Sequence, residues 1–406
     1  MSSASNAYML VAAALVLLMT PGLAFFYGGL VGRKNVVTIM MQSFVSMGVT
    51  IIMWWAIGFT LSFSGNGPII GNFAHAFLKG VTVKTAFSGN GQISLLVFFI
   101  YQMMFAVITP ALITGAFADR MTFRAYLWFL ILWQLIVYYP FAHMIWGGGI
   151  LAQWGVLDFA GGIVVHALAG FSALATVFYL GKRKHISKNT PSNLALVAIG
   201  TAMLWFGWYG FNSGSALSID TVAELAFVNT TLGAAFGATT WLILDSIYAG
   251  KPKLVGFLTG AVAGLATITP AAGYVTPAAA ALIGITASVV GYLAIAFKNK
   301  KGWDDALDVW GVHGMGGVTG ILMLGLFATK TVNKSGANGL FYGNAAFFGK
   351  EFTAVLIAII YAFVVTYALL AIINTFAKVR VPESAEKEGL DSYLHGEDAF
   401  NILKCK

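Results

Sequence analysis

Two histidines stand inside otherwise uncharged apolar runs, His166 and His313, each eight residues after an aspartate, Asp158 and Asp305. At about 1.5 Å per helical residue, eight residues carry a side chain about 12 Å into a bilayer core about 30 Å thick. Two such segments entering from opposite faces therefore bring their imidazoles together near the middle. A hydrogen-bonded pair of rings can pass a proton, whereas two isolated rings in hydrocarbon each need a donor and an acceptor of their own. The competing reading is two separate core histidines, each bonded to a backbone carbonyl. His143 lies near the outer end of its apolar run without a counterpart, and Asp245 lies near the inner end of its own; both read as structural.

Aromatic side chains gather where a cation arriving from outside would first meet such a path: Tyr101, Phe105, Trp146 and Phe211. Aromatic belts are common at membrane interfaces, and that is the alternative reading. The outer halves of these segments hold no acidic residue, which leaves ring faces and hydroxyls such as Ser215 to hold a small cation. A desolvated ring offers a cation about 2 kcal/mol, while a charge at the membrane centre costs at least about 2.5–3.5 kcal/mol. A permanent ion stalls on that balance. A cation able to shed a proton can cross as a neutral molecule and leave the proton to the imidazoles.

The elements that must position these residues follow from composition. Of 406 residues, 59% are hydrophobic and 9% charged, a balance that requires lipid as the main solvent. Apolar runs between polar breaks predict an all-α integral membrane protein with eleven transmembrane helices near 8–31, 36–63, 92–118, 125–146, 159–181, 193–217, 225–249, 254–270, 277–297, 305–329 and 351–377. Residues 1–378 form the transmembrane domain and 379–406 a cytoplasmic tail. No Lys or Arg precedes the first run, and Arg33 and Lys34 follow it, which predicts a retained first helix with its N-terminus outside. That orientation places fifteen Lys and Arg in inside loops against five outside, with three more in the tail. The net charge of +8 is thus a topology signal rather than a nucleic-acid surface. The single cysteine, Cys405, allows no disulfide within the chain and leaves the redox compartment open.

The first five helices laid on the next five give an inverted five-plus-five repeat, with the eleventh added. Ile108-Thr109-Pro110-Ala111 matches Ile268-Thr269-Pro270-Ala271, Tyr27-Gly28 matches Tyr209-Gly210, and Asp158…His166…Gly170 matches Asp305…His313…Gly317. Gly256, Gly260 and Gly264 form a small-residue packing face. Asp305 and Asp308 favour the start of the tenth helix, as acids do at helix N-termini. No HExxH motif and no buried acid, base and nucleophile set is present, so an enzyme is not expected, nor a metal or other cofactor. An NPA pair and a TVGYG filter are also missing, and the late helices carry no interior lysine for a retinal.

The run DFAGGIVVHALAGFSALATVFYLGKR at 158–183 resembles the signature of the Amt/Mep/Rh ammonium transporters, of the bacterial and archaeal Amt branch. The likeness extends to PGLAFFYGG at 21–29, AHMIWGGG at 142–149, FGWYGFNSGSA at 206–216, TPAAGY at 269–274, DVWGVHGMGG at 308–317 and EGLDSYLHGEDAFN at 388–401, essentially the full length. The resemblance implies a plasma-membrane homotrimer with a pore in each subunit, passing ammonium or ammonia, with methylammonium as a possible analogue. It implies that Trp146, Phe105 and Ser215 recruit the cation together with Tyr101, that Phe105 and Phe211 form a gate, and that His166 and His313 line the pore. Asp158 would support the recruitment site through its helix start. Tyr101 stands where phenylalanine is usual in the family. The tail, with six acids from Glu383 to Asp398, is either a solvated terminus or, by resemblance, a contact for a cytosolic P-II nitrogen-regulatory protein. An ammonium sensor signalling through this tail is the rival function, since nothing in the residues separates binding from passage.

Overall fold

Long apolar runs in lipid must satisfy every backbone group internally, and helices do so within one segment. The computed structural model describes residues 1–186 and 191–400. Lys188, Asn401, Lys404, Cys405 and Lys406 lie outside the described residues. Eleven helical elements carry the fold: α1 Ser3–Leu30, α2 Arg33–Phe63, α3 Leu95–Ala116, α4 Phe123–Trp154, α5 Gly162–Leu180, α6 Leu194–Ala216, α7 Thr221–Tyr248, α8 Leu254–Ile268, α9 Pro277–Lys301, α10 Trp310–Phe327 and α11 Ala345–Phe376. Ten of these are long and apolar enough to cross a membrane, and α8 is a shorter apolar helix of 15 residues. Among the described residues there is no β-strand, only two isolated bridges.

Side-chain caps start most of the helices, as their first N–H groups require. Ser2, Ser94, Thr122, Asn193, Asp220, Thr276 and Asn344 each accept from the first turn that follows. Two expected starts are shifted. α5 opens at Gly162 rather than 159, and α10 at Trp310 rather than 305. Asp158 and Asp305 stay outside their helices because each carboxylate folds back onto the free N–H groups of the turn that follows. At the other end of the chain α11 begins at Ala345, six residues before the expected 351, and takes in Lys350.

α1 packs along α6, α7 along α8 and α9, and α5 is enclosed by α10, α11 and α3. The α5–α10 crossing depends on two glycines at matching places, Gly170 and Gly317. A Cβ on Gly170 would stand 2.1 Å from Gly314 Cα, and one on Gly317 would stand 2.5 Å from the Gly162 carbonyl oxygen. Gly256, Gly260 and Gly264 similarly let α8 press against Asp245, Trp241, Gly237 and Gly233 of α7. By contrast α7, α9 and α11 keep broad exposed apolar faces, with Ile243, Ile247, Leu293, Phe297, Ile360 and Val364 outward. Such faces are stable only against lipid or another subunit.

The tail is fastened to the helix ends at several points between 379 and 391, while 382–384, 387–388, 392–393 and 396–399 stay exposed, so the solvated-terminus reading describes only part of it. Thr122 N–H donates to the Val379 carbonyl and Val381 N–H to the Arg120 carbonyl at 2.9 Å each. Arg380 reaches the Leu180 and Lys182 carbonyls and pairs with Glu386 at 2.5 Å. Asp391 accepts from Val37 N–H and Thr38 N–H at 2.9 and 2.7 Å, capping the start of α2. Of the six acids, Glu386 and Asp391 are buried on backbone donors and Arg380, while Glu383, Glu388, Glu397 and Asp398 stay exposed.

Candidate functional site

Each histidine is carried on a widened, π-helical first turn, Gly162–Ala167 in α5 and Trp310–Gly314 in α10. Such turns admit one extra residue and re-aim side chains. The two imidazoles face each other: Nδ1 to Nδ1 is 3.3 Å, with ring centroids 5.3 Å apart and planes within 16°. His166 is 1% exposed and His313 4%. Two neutral rings meeting through the same nitrogen must hold one proton between them, one as donor and one as acceptor. His166 Nε2 has no hydrogen-bond partner among the described residues. The reading as two separate histidines bonded to carbonyls does not describe this pair.

Sequence reasoning passed over the platform beneath them. Trp208 lies nearly parallel to His166 at 5.5 Å and is fixed by its indole N–H donating to Thr269 Oγ1 at 2.9 Å. Together with Phe26, Ile108, Leu112, Val165, Leu204 and Phe211 it walls a slot of about 10 Å³. That is about one water-sized sphere. Trp208 lies within the 206–216 run, but a tryptophan in an apolar run reads first as a belt residue.

The slot lies between two larger cavities. On the side away from the tail, about 210 Å³ is lined by Phe87, Phe98, Gln102, Phe105, Trp146, Phe159 and Ser215. Phe105 and Phe211, 4.4 Å between centroids, close its floor above the slot. On the tail side, about 180 Å³ is lined by Phe26, Tyr27, Val262, Asp308 and His313. His313 thus borders both the slot and the tail-side cavity.

Trp146 meets Phe105 edge-on at 5.7 Å and is anchored by its indole N–H donating to the Asp158 carbonyl at 2.8 Å. The Asp158 carboxylate collects four N–H groups, from Gly161, Gly162, Ile163 and Val164, at 2.6–3.2 Å. Burial pushes its carboxyl above the ordinary aspartate value, against the downward pull of those four donors. Tyr101 is wholly buried and does not line the cavity. Its hydroxyl lies 2.8 Å from the Phe211 carbonyl and 3.2 Å from Ser215 Oγ, and Ser215 Oγ lies 2.9 Å from that same carbonyl. The phenol stands behind the serine instead of presenting a ring to the cavity.

Asp305 accepts from Trp310 N–H at 2.8 Å, while Lys298 Nζ donates to its backbone carbonyl at 2.8 Å. Burial pushes the Asp305 carboxyl up to about 6, with Lys298 opposing. Asp308 does not cap the helix; its carboxylate turns to Lys298 at 2.5 Å and its backbone takes a positive φ of 60°. His143, wholly buried, holds the Ser62 and Gly67 carbonyls at 3.0 and 2.7 Å and ties down the loop after α2. The carboxylate of Asp245 is buried between α7 and α8. Among the described residues no group of three or more metal-ligating side chains converges.

An all-helical body with ten helices long and apolar enough to cross a membrane, and a narrow apolar slot between two polar-edged cavities, is the architecture of a multi-pass membrane protein. The Ammonium Transporter Family model matches residues 7–400. An ammonium transporter of Bacillus subtilis (strain 168) is 46% identical over 401 residues, covering 98% of this chain and 99% of that one. The crystal structure of Candida albicans Mep2 superposes with a TM-score of 0.89 at 33% identity, covering 95% of this chain and 87% of that one. A solved sensor Amt protein superposes with a TM-score of 0.88 at 27% identity, covering 96% and 98%. The chain belongs to the ammonium transporter family.

Proposed function

We propose that this protein transports ammonium, recruiting the cation in the cavity away from the tail, deprotonating it near the Phe105–Phe211 floor and passing ammonia through the histidine-lined slot. The observation that carries this reading is the facing pair His166 and His313 in a slot of about 10 Å³. A hydrated ion does not fit that space, and a bare one finds no carboxylate among the lining residues to replace its water. A neutral molecule of ammonia's size fits. The displaced proton travels separately by way of the imidazoles, which already share one.

In the recruitment cavity the ring faces of Trp146 and Phe105 attract the cation and Ser215 Oγ accepts from it. With the Ser215 hydrogen directed to the Phe211 carbonyl or to Tyr101, its oxygen lone pairs are left for an N–H donor. Asp158 acts at one remove, by holding the first turn of α5 and the Trp146 indole. Asp305 plays the matching part for α10.

The same reading takes all eleven helices as crossing, α8 included, with α1–α5 and α6–α10 as inverted repeats and α11 added. Matching first turns, matching aspartates and matching glycines support the repeat. The basic loops support an N-terminus outside and a cytoplasmic tail at the plasma membrane, so that 1–378 form the transport domain and 379–406 the tail. The exposed faces of α7 and α9 suit a homotrimer, and the ordered tail gives a P-II-type regulator a surface to dock on.

Proteoliposomes given an ammonium jump test the proposal, read both as current on a solid-supported membrane and as internal pH change, with sodium and potassium jumps as controls. A response to ammonium alone supports transport. Silence in both readouts favours the ammonium sensor, the reading to which the likeness with the sensor Amt protein points.

A further inference from the structure

Glu351 is the only acidic residue within α11 and is wholly buried. A carboxyl in a membrane helix is costly and calls for a named partner. Here Oε1 accepts the Leu157 N–H at 2.7 Å, while Oε2 is buried without a hydrogen-bond partner among the described residues. Its Cβ lies over Gly325 of α10, 3.5 Å from where a Cβ on that glycine would stand. A hydrophobic residue would pack this position more cheaply than a half-satisfied acid.

What Glu351 holds is the approach to the recruitment cavity. Leu157 directly precedes Asp158, whose carbonyl receives the Trp146 indole and whose carboxylate gathers the first turn of α5. One short stretch of backbone is thus fastened to α11 at Leu157, to Trp146 at Asp158 O, and to α5 through the Asp158 side chain. Removing the first fastening frees the strip that sets where the indole stands against Phe105.

We propose that Glu351 is a positioning residue for cation recruitment: through Leu157 and Asp158 it sets the Trp146 ring plane, and with it the affinity of the outer cavity. The inference rests on Trp146 being a wall of the recruitment site. Most of the slot's walls, Phe26, Ile108, Leu112, Leu204, Trp208 and His313, come from other elements, and only Val165 and His166 from the first turn of α5, so the larger effect falls on half-saturation.

Initial rates against ammonium concentration in proteoliposomes, normalised to folded protein, test this with E351L, E351D, E351Q and W146L. E351L and E351D raise the half-saturating concentration about five- to tenfold with maximal rate within about twofold, the pattern of lost ground-state binding. E351Q, whose amide oxygen can still accept from Leu157, brings half-saturation back to within about twofold of the wild type. Should E351L not fold, E351D decides alone, since it keeps the carboxylate and shortens its reach. E351L and E351D at wild-type half-saturation, beside a W146L that raises it, overturn the role of Glu351. A W146L without effect overturns the reading of the outer cavity and the proposal with it.

Discussion

A serine hydroxyl has one hydrogen, and where it goes decides what Ser215 can do for a cation. The Phe211 carbonyl and the Tyr101 hydroxyl both stand ready to take it, at 2.9 and 3.2 Å, which turns the serine oxygen into a pure acceptor toward the cavity. Tyr101→Phe removes one of the two takers and frees Ser215 to rotate, so half-saturation for ammonium should rise by about two- to fivefold, the worth of a fraction of one hydrogen bond. Concentration dependence of initial rates checks this, and an unchanged value would mean that the Phe211 carbonyl suffices. Asp305 makes a prediction in pH. Its carboxyl keeps its proton up to about 6 when folded, above the ordinary aspartate value near 4. The folded state therefore holds an extra proton between those values, and the contribution of Asp305 to stability falls as pH rises through that window. D305N, uncharged throughout and still able to accept from Trp310, should show a smaller drop in thermal midpoint between pH 4 and pH 7 than the wild type. Equal drops would remove Asp305 as the source.

At the scale of elements, the crossing of α5 and α10 is what brings the two imidazoles together. G170A and G317A each insert a Cβ 2.1–2.6 Å from backbone atoms of the partner helix. Overpacking of this kind costs about 1–3 kcal/mol or more. Both variants should lower the thermal midpoint in detergent by several degrees, whereas G48A, with nothing within 4 Å of its new Cβ, should match or slightly exceed the wild type. The meeting of His166 and His313 was legible in sequence because equal Asp-to-His spacings in segments of opposite sense leave little choice of depth. The way they meet was not. A uniform rise per residue treats the first turns as ordinary α-helix, whereas 162–167 and 310–314 are π-turns, which residue type and spacing do not announce. Trp208 was lost for a related reason, since its partner His166 lies 42 positions away and only the fold stacks them. The direction of the Tyr101 hydroxyl was equally hidden, because residue type shows a ring but not what stands behind it.

For the whole molecule, the tail is the largest departure from expectation. Acids in a terminal segment read as solvated, yet Asp391 caps α2 and Glu386 accepts from Lys184 N–H while pairing with Arg380. Nearby, burial works against ionised Asp304, but the Arg183 guanidinium overrides it and holds that carboxyl below its ordinary value. Asp304 therefore supports the fold above the ordinary aspartate value, and the support is lost as acid protonates it. Asp391→Ala removes two buried acceptors from the start of α2, a loss of about 0.5–2 kcal/mol for a helix cap. Limited proteolysis should then cut within 382–400 at least about fivefold faster than in the wild type, with the α1–α11 body intact. Equal rates would show that Arg380 and its carbonyl partners hold the tail by themselves.

The central claim is that ammonia passes the imidazole pair while its proton travels apart, and the most direct measurement is selectivity in the histidine variants. Responses to ammonium and to potassium jumps are compared for wild type, H166A and H313A in the same proteoliposomes, as current and as internal pH. The wild type should respond to ammonium and not to potassium. In each variant the ratio of the two responses should fall by at least about tenfold, because the relay is lost or because the vacated volume admits a hydrated ion. Wild-type current, pH response and selectivity in both variants would contradict the relay.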